Sequence, residues 1–310
     1  MKTLSIVIPV YFNEESLRPL YDALMQVATE LLEREIRLQL IFVDDGSEDG
    51  SLRELLEITS GNDAVKVVKH SRNFGAMMAL KTGFQFVEGD CFTILTADLQ
   101  DPPELVIQMA DKWLAGAKYV ICTRAEREDS WSSKLFASIY HRLVQLLVMS
   151  DYPRGGFDIA LMDRTLLPYL QQSGKNINLS VFAHYLGFKP TVIHYKRQAR
   201  EHGVSRWTFR KRLKLFVDSL LGFSMVPLRL ISLVGLGVAT LAFLYGIVVI
   251  VLALLGYAEF EANRGFATLA AIVSFLLGLI IVMLGIIGEY IWRIFDEVNH
   301  RPESVIEEIY

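Results

Sequence analysis

The stretch "LTADLQDPPEL", Leu95 to Leu105, sets Asp98, Asp101 and Glu104 around two consecutive prolines, directly after the apolar run "CFTIL". A turn needs one Asp or one Pro, so this cluster exceeds what chain reversal requires. Asp98 at the end of a strand, with Gln100 two residues on, can direct two oxygens toward one hard cation. Oxygen ligands with few protein contacts suit Mg²⁺ or Mn²⁺ bridging phosphates. Pro102 and Pro103 force the following segment out of the strand and stiffen its approach. Four further polar clusters recur along the first half of the chain: "PVYFNEE", "DDGS", "HSRNFG" and "TRAERED". Any one of them is ordinary loop chemistry, because Asp, Gly, Asn and Ser form turns and cap helices. Five at equivalent positions point to a site.

Those positions follow from the elements that carry them. β-branched runs at 4–10, 38–45, 65–70, 91–98 and 119–124 alternate with helical patterns at 15–34, 50–60, 74–87 and 103–115. The alternation predicts an α/β domain, a mostly parallel sheet covered by helices on both faces. In such sheets ligands bind outside the carboxyl ends of the strands, where the five clusters fall. Cys91 and Cys122 lie inside apolar strand runs and read as reduced core residues.

The second half has a different character. Hydrophobic residues make up 52% of the 310 and the mean hydropathy is +0.33, with the excess near the C-terminus. Residues 230–258 are 29 uncharged positions between Arg229 and Glu259, and 265–288 are 24 more between Arg264 and Glu289. As helices they extend roughly 43 and 36 Å, enough for a hydrocarbon core of about 30 Å. Two transmembrane helices are expected, at about 229–257 and 265–290. From Lys196 to Arg229 nine Lys or Arg stand against two acids, and Arg293 and Arg301 follow the second span, whereas the loop "EFEANR" has a single Arg. The bias places the domain and both termini in the cytoplasm, giving a multi-pass protein of the inner membrane. No secretory signal is visible at the N-terminus. The formal charge of −4 hides the basic patch between Lys196 and Arg229, and the lack of aromatic-basic interleaving elsewhere argues against nucleic acid as a partner. Residues 206–227, with Arg210, Lys211, Arg212 and Lys214 against Trp207, Leu213 and Phe216, predict a juxtamembrane interfacial helix. Segment 131–149, with Trp131, Leu135, Ile139, Leu143 and Leu147 four apart, fits either a membrane surface or its own domain. The domain plan is 1–205 for the cytoplasmic domain, 206–227 for the interfacial helix, 228–292 for the hairpin and 293–310 for a cytoplasmic tail. Gly235, Gly237, Gly278 and Gly285 permit the spans to pack into a homo-oligomer. A soluble domain tethered this way would let a phosphate-bearing donor meet an acceptor confined to lipid.

"SIVIPVYFNEE", "IFVDDGSEDGS", "SRNFGAMMALKTGF", "TADLQDPPE" and "RQAREHGVSRWTF", in this order and followed by two spans, resemble the inverting family 2 glycosyltransferases. Within them the similarity is to the polyprenyl-phosphate and dolichyl-phosphate enzymes, narrowing toward the bactoprenol glucosyltransferases. It covers essentially the whole chain. The resemblance implies a GT-A nucleotide-sugar-binding domain, a UDP-sugar donor, Mg²⁺ or Mn²⁺, and a polyprenyl phosphate acceptor. Mapped onto this sequence, Pro9, Tyr11, Asn13 and Glu14 match the nucleotide-pocket segment, and Asp45, with Asp44 beside it, matches the acid that accepts from uracil. Asn73, Gly75, Asp101 and Arg124 fall among the donor-binding positions. Asp98 and Gln100 match the metal and diphosphate ligands, while Arg200, Gly203, Ser205 and Arg206 match the segment beside the diphosphate and acceptor phosphate. Asp158 falls close to the reacting sugar, so Asp158, Asp98 and Arg200 are the expected catalytic residues. Two departures stand out: Thr96 occupies the first acid of the usual DxD, and Arg206 replaces the usual Lys. The activity implied is inverting hexosyl transfer, with glucose preferred over mannose or an amino-arabinose derivative. From other classes, a membrane-anchored nucleotide-sugar sensor or a glycolipid translocator is the alternative.

Overall fold

A computed structural model describes residues 1–124, 131–153, 156–157, 159–175, 177–197, 209–255 and 262–310, which form two compact units. The first unit comprises Met1–Gly222 and Pro302–Tyr310. Its sheet has eight strands: β1 (Lys2–Val10), β2 (Ile36–Asp44), β3 (Val65–His70), β4 (Cys91–Ile94), β5 (Tyr119–Arg124), β6 (Ile159–Asp163), β7 (Thr191–Tyr195) and β8 (Ile306–Ile309). Their order is β7-β5-β6-β4-β1-β2-β3-β8, with β6 and β8 antiparallel to their neighbours and the other strands sharing one direction. The mostly parallel α/β architecture expected from the alternation is therefore what the chain forms.

The central strands are near-continuous apolar runs because helices cover both faces. Helix α1 (Glu14–Leu32) buries Leu17, Leu20, Leu24, Val27 and Leu31, a three-and-four spacing that lays one stripe on the sheet. Helices α2 (Ser51–Ile58), α3 (Ala76–Phe84) and α4 (Leu105–Leu114) complete the βα repeats. Cys91 and Cys122 are buried free thiols, and loss of solvation pushes both upward in pKa, Cys122 to about 12. Neither is set up for nucleophilic chemistry.

Helices α5 (Trp131–Leu147), α6 (Leu167–Gln171), α7 (Leu179–Tyr185) and α8 (Phe209–Phe223) follow. On the described part of α5 Val144 is buried, Leu143 and Leu147 are partly buried and Ile139 is half exposed; Trp131 and Leu135 of the expected stripe lie among side chains outside the described ones. Tyr140 Oη and Ser219 Oγ lie 2.9 Å apart, and Asn178 Nδ2 donates toward both at 3.1 and 3.0 Å. This cluster fastens α8 to α5 and α7, so the Ser219 face of α8 belongs to the protein interior.

The second unit, Phe223–Arg301, consists of α9 (Val226–Leu254) and α10 (Ala262–Val298). Ser224 Oγ accepts from Val226 N at 3.1 Å, and Pro227 sits in the first turn, so "FSMVP" ends one helix and starts the next. Segments Val226–Val248 and Ile272–Val298 are long and apolar enough to cross a membrane. Beyond α10 the chain re-enters the first unit at Pro302 and contributes β8 to the sheet edge.

Candidate active site

The turns after β1, β2, β3 and β4 are tied together by side chains bonding to each other's backbone. After Val10, Asn13 Oδ1 accepts from Tyr11 N at 2.9 Å, and Phe12 adopts φ +57°. Ser47 Oγ, from the next turn, accepts from Phe12 N at 3.1 Å, and Ser51 Oγ accepts from Asn13 N at 2.8 Å. Ser16 Oγ donates to Ala97 O at 2.6 Å, which ties in the turn after β4. Tyr11 and Asn13 are thus held on the turn after β1, against the turns after β2 and β4. Glu14 is engaged elsewhere: its carboxylate accepts from Gly50 N at 2.9 Å and meets Arg53 at 3.2 Å. A Cβ at Gly50 would lie 2.1 Å from Glu14 Oε1, so a side chain there would push the Glu14 carboxylate off the start of α2. Pro9 disturbs no ladder bond. Val7 O accepts from Leu95 N, and the two-residue alternation points the nitrogen of Pro9 to that same side, past the last β1–β4 pair, Val7 with Ile94.

The paired acids after β2 have different jobs. Asp45 is 2% exposed, and its Oδ1 accepts from His70 Nδ1 and Phe74 N, both at 2.8 Å, while Oδ2 accepts from Gly75 N at 2.7 Å. A carboxylate offers about four acceptor positions, so three donors leave one for a ligand. Asp44 is equally buried and accepts from Ser47 N at 3.3–3.4 Å. Burial pushes its carboxyl above the usual range, the Ser47 bonds opposing that shift. The turn carrying Asn73 and Gly75 lies against Gly46, whose φ is +70° and whose Cβ would stand 2.6 Å from Arg72 C. Asn73 itself is exposed.

The acidic cluster after β4 departs from the expected geometry. The strand stops at Ile94, and residues 96–101 form a turn with Leu99 at φ +55°, so Asp98 sits on that turn rather than on the strand. The Thr96 hydroxyl lies 2.8 Å from Asp98 Oδ1 and 3.2 Å from Asp101 Oδ2. Gln100 N donates to Asp98 Oδ1 at 3.3 Å. Thr96 thus has one hydroxyl hydrogen to offer the two carboxylates and brings no charge of its own. Asp101 is buried, accepts from Tyr195 Oη at 2.7 Å, and pairs with Arg197 Nε at 3.2 Å. It braces the end of β7, opposite Arg124 in the β5–β7 register. Among the described residues no three His, Cys, Asp or Glu converge on a metal position. The donor set that does exist, the half-buried Asp98 carboxylate with the Gln100 amide two residues on, fits a cation such as Mg²⁺ that keeps water and takes substrate phosphate as ligands.

Asp158, Arg200, Gly203, Ser205 and Arg206 lie outside the described residues. Structure brings the others together in two groups: Pro9, Tyr11, Asn13, Asp44, Asp45, Asn73 and Gly75 around the first three turns, and Asp98, Gln100, Asp101 and Arg124 around β4, β5 and β7. Sequence reasoning missed Ser16, Ser47, Ser51, His70, Tyr195 and Arg197. His70 left a signal, since alternation in "VKVVKH" puts it on the face of the buried Val68.

Residues 5–186 match the family described as Glycosyl transferase family 2. The chain is 33% identical to the undecaprenyl-phosphate 4-deoxy-4-formamido-L-arabinose transferase of Proteus mirabilis, over 99% of this chain and 93% of that protein. It is 30% identical to the bactoprenol glucosyl transferase of Shigella phage SfV, over 98% of both. Among solved structures, glucosyl-3-phosphoglycerate synthase from Mycobacterium tuberculosis, crystallised with uridine diphosphate, superposes with a TM-score of 0.50 at 16% identity, covering 71% of this chain and 79% of that one. The last likeness shows a shared GT-A-like fold.

Proposed function

The chain belongs to glycosyl transferase family 2, and from that premise we propose that this glycosyltransferase moves a hexose from a UDP-sugar to undecaprenyl or another polyprenyl phosphate at the cytoplasmic face of the inner membrane. The observation that carries the acceptor is the pair of full-length relatives: their names specify different sugars but the same kind of polyprenol carrier, and the similarity extends through the two apolar helices.

The chemistry follows from the groups available. A phosphate monoester has a second pKa of about 6 and is largely dianionic at neutral pH, so it can attack C1 of the sugar without a strong base. In-line attack inverts C1, converting an α-linked donor into a β-linked lipid phosphate sugar. Asp45 offers its remaining acceptor position to the base of the donor, with Asp44 beside it. Tyr11 and Asn13 line the same pocket, and Asp101 keeps the β7 end and the segment after it in place. Arg200, Ser205 and Arg206 are assigned to phosphate binding, where the Arg206 fork serves as well as the usual lysine. Asp158 orients the acceptor or removes the proton of its minor monoanion. Asp98 and Gln100 would hold Mg²⁺ or Mn²⁺, which supplies positive charge against the departing diphosphate when bound. With one acid replaced by Thr96, that binding rests on Asp98, Gln100 and the donor itself.

Glucose is the preferred sugar on the resemblance, and the 33% identity to the arabinose-derivative transferase supports that pentose as the second reading. The hairpin would cross the membrane twice, with both termini and the sheet unit in the cytoplasm, and the enzyme would work as a homo-oligomer. A screen of nucleotide sugars against undecaprenyl phosphate with Mg²⁺ or Mn²⁺, read by mass spectrometry of the lipid, tests the assignment. One UDP-hexose should give a lipid phosphate sugar of inverted configuration. Absence of any lipid product would favour a sensor, and a retained configuration would exclude direct displacement.

A further inference from the structure

The last nine residues of the chain are structurally part of the sheet unit, although they follow α10. β8 pairs antiparallel with β3, and Ser71 N donates to Val305 O at 3.0 Å. Two residues just before β8 reach inward to α3. Glu303 pairs with Nζ of Lys81, a buried cation that also donates to Ser173 O. Ser304 Oγ lies 2.8 Å from Thr82 Oγ1, Thr82 Oγ1 lies 2.8 Å from His70 Nε2, and His70 Nδ1 lies 2.8 Å from Asp45 Oδ1. His70 and Thr82 are fully buried.

The direction of this line is fixed once the carboxylate is taken as ionised and the imidazole as neutral. An ionised carboxylate only accepts, so His70 Nδ1 carries the hydrogen. In the neutral imidazole Nε2 must then accept, and its donor is the Thr82 hydroxyl. With its single hydrogen committed, Thr82 accepts from Ser304. Thr82 gives once and receives once, and the line ends on the carboxylate that also receives Phe74 N and Gly75 N.

We propose that the tail after α10 is a working part of the donor site, with Ser304, Thr82 and His70 acting as positioning residues. They fix the rotation of the Asp45 carboxylate and, through it, the turn that carries Asn73 and Gly75. The inference rests on the assignment of Asp45 to the donor base. Removing a positioning bond weakens the substrate complex and the transition-state complex alike relative to the free enzyme, so it raises KM for the donor and leaves kcat in place.

The test uses the full-length protein in detergent, with UDP binding measured by calorimetry, transfer kinetics, and amide hydrogen exchange over residues 70–76. Ser304→Val should raise the UDP Kd and donor KM about 3- to 10-fold, the effect of one lost hydrogen bond, with kcat within about twofold. Exchange over 70–76 should quicken, and Ser304→Thr should restore most of the loss. His70→Leu should weaken UDP more than Ser304→Val does, and His70→Asn should recover part of the loss, because its amide can still donate to Asp45. Should His70→Leu not fold, the Ser304 pair decides. Unchanged Kd, KM and exchange in Ser304→Val would overturn the proposal. A wild type that neither binds UDP nor transfers would instead remove the donor assignment, and the exchange rates over 70–76 would then decide the relay alone.

Discussion

The two units of the chain treat apolar side chains in opposite ways. In the sheet unit Phe42, Phe92 and Tyr119 are wholly buried, and charge collects on the turns after the strands. In the hairpin, Leu233, Leu236, Phe243 and Ile281 are 66–69% exposed in the protein alone, and apolar residues occupy every side of α9. In water the second pattern would be an aggregation hazard, whereas in hydrocarbon it is the stable one. The same residue type therefore contributes by displacing water in one unit and, under the membrane placement proposed above, by facing lipid in the other. Charges divide likewise: the sheet unit gathers Asp44, Asp45, Asp98 and Asp101 at its strand ends, and the two apolar segments keep theirs toward an end, Arg229 in the first and Glu289, Arg293, Asp296 and Glu297 in the second.

The sharpest test of that division compares one substitution in each unit. Asp98→Ala should lower kcat about 100- to 1000-fold at saturating Mg²⁺, the range for removing a group that stabilises developing charge. Leu236→Ala, on the exposed surface of α9, should leave kcat within about twofold. Near-normal transfer by Asp98→Ala with Mg²⁺ present would remove the metal assignment.

Reversing the polarity of the hairpin comes next. Leu236→Lys puts a charge near the middle of Val226–Val248 and should cost about 2.5–3.5 kcal/mol of insertion free energy. Its measure is a fall in the fraction of protein recovered with membranes. Full recovery would mean that α9 does not lie in hydrocarbon.

A smaller effect is expected at the crossing of two turns in the sheet unit. Gly46→Ala would place a Cβ 2.6 Å from Arg72 C at φ +70°, and should destabilise the fold by about 2 kcal/mol while weakening UDP. Chemical denaturation and calorimetry check both. Wild-type stability would show that the turn after β3 is free to move away from the turn after β2.

How far the sequence foretells this arrangement depends on the range of each interaction. Strands β1 to β5 are legible because both faces are covered, which leaves apolar runs four to nine residues long. β8 is not: "IEEI" has two apolar residues, follows a helix of 37, and becomes a strand only because β3 offers it an edge. The acids could be found from composition, but not their division of labour. Asp101 is braced by Tyr195, 94 residues away, and Asp45 by His70, 25 away; nothing local in "DLQD" or "DDGS" announces either partner. Asp98 shows the opposite error, since "CFTILTAD" reads as strand to its end, whereas the Leu99 αL conformation and the Thr96 bridge fold its last residues into a turn.

The smallest expected effect concerns the acid that the sheet unit keeps at a cost to its own stability. Burial raises the folded-state pKa of Asp44, so above that raised value the native protein holds a charge that the unfolded chain would solvate better. Asp44→Asn keeps an oxygen for Ser47 N and removes the charge. It should therefore melt about 1–3 °C higher than wild type at pH 8 while transferring sugar more slowly. The gain has a definite pH course: full above the raised value, shrinking as pH falls through it, and gone below about 3.9, where both states are neutral. Melting curves of the two proteins from pH 8 down to 4 should converge. A difference independent of pH would mean that packing, not ionisation, separates them.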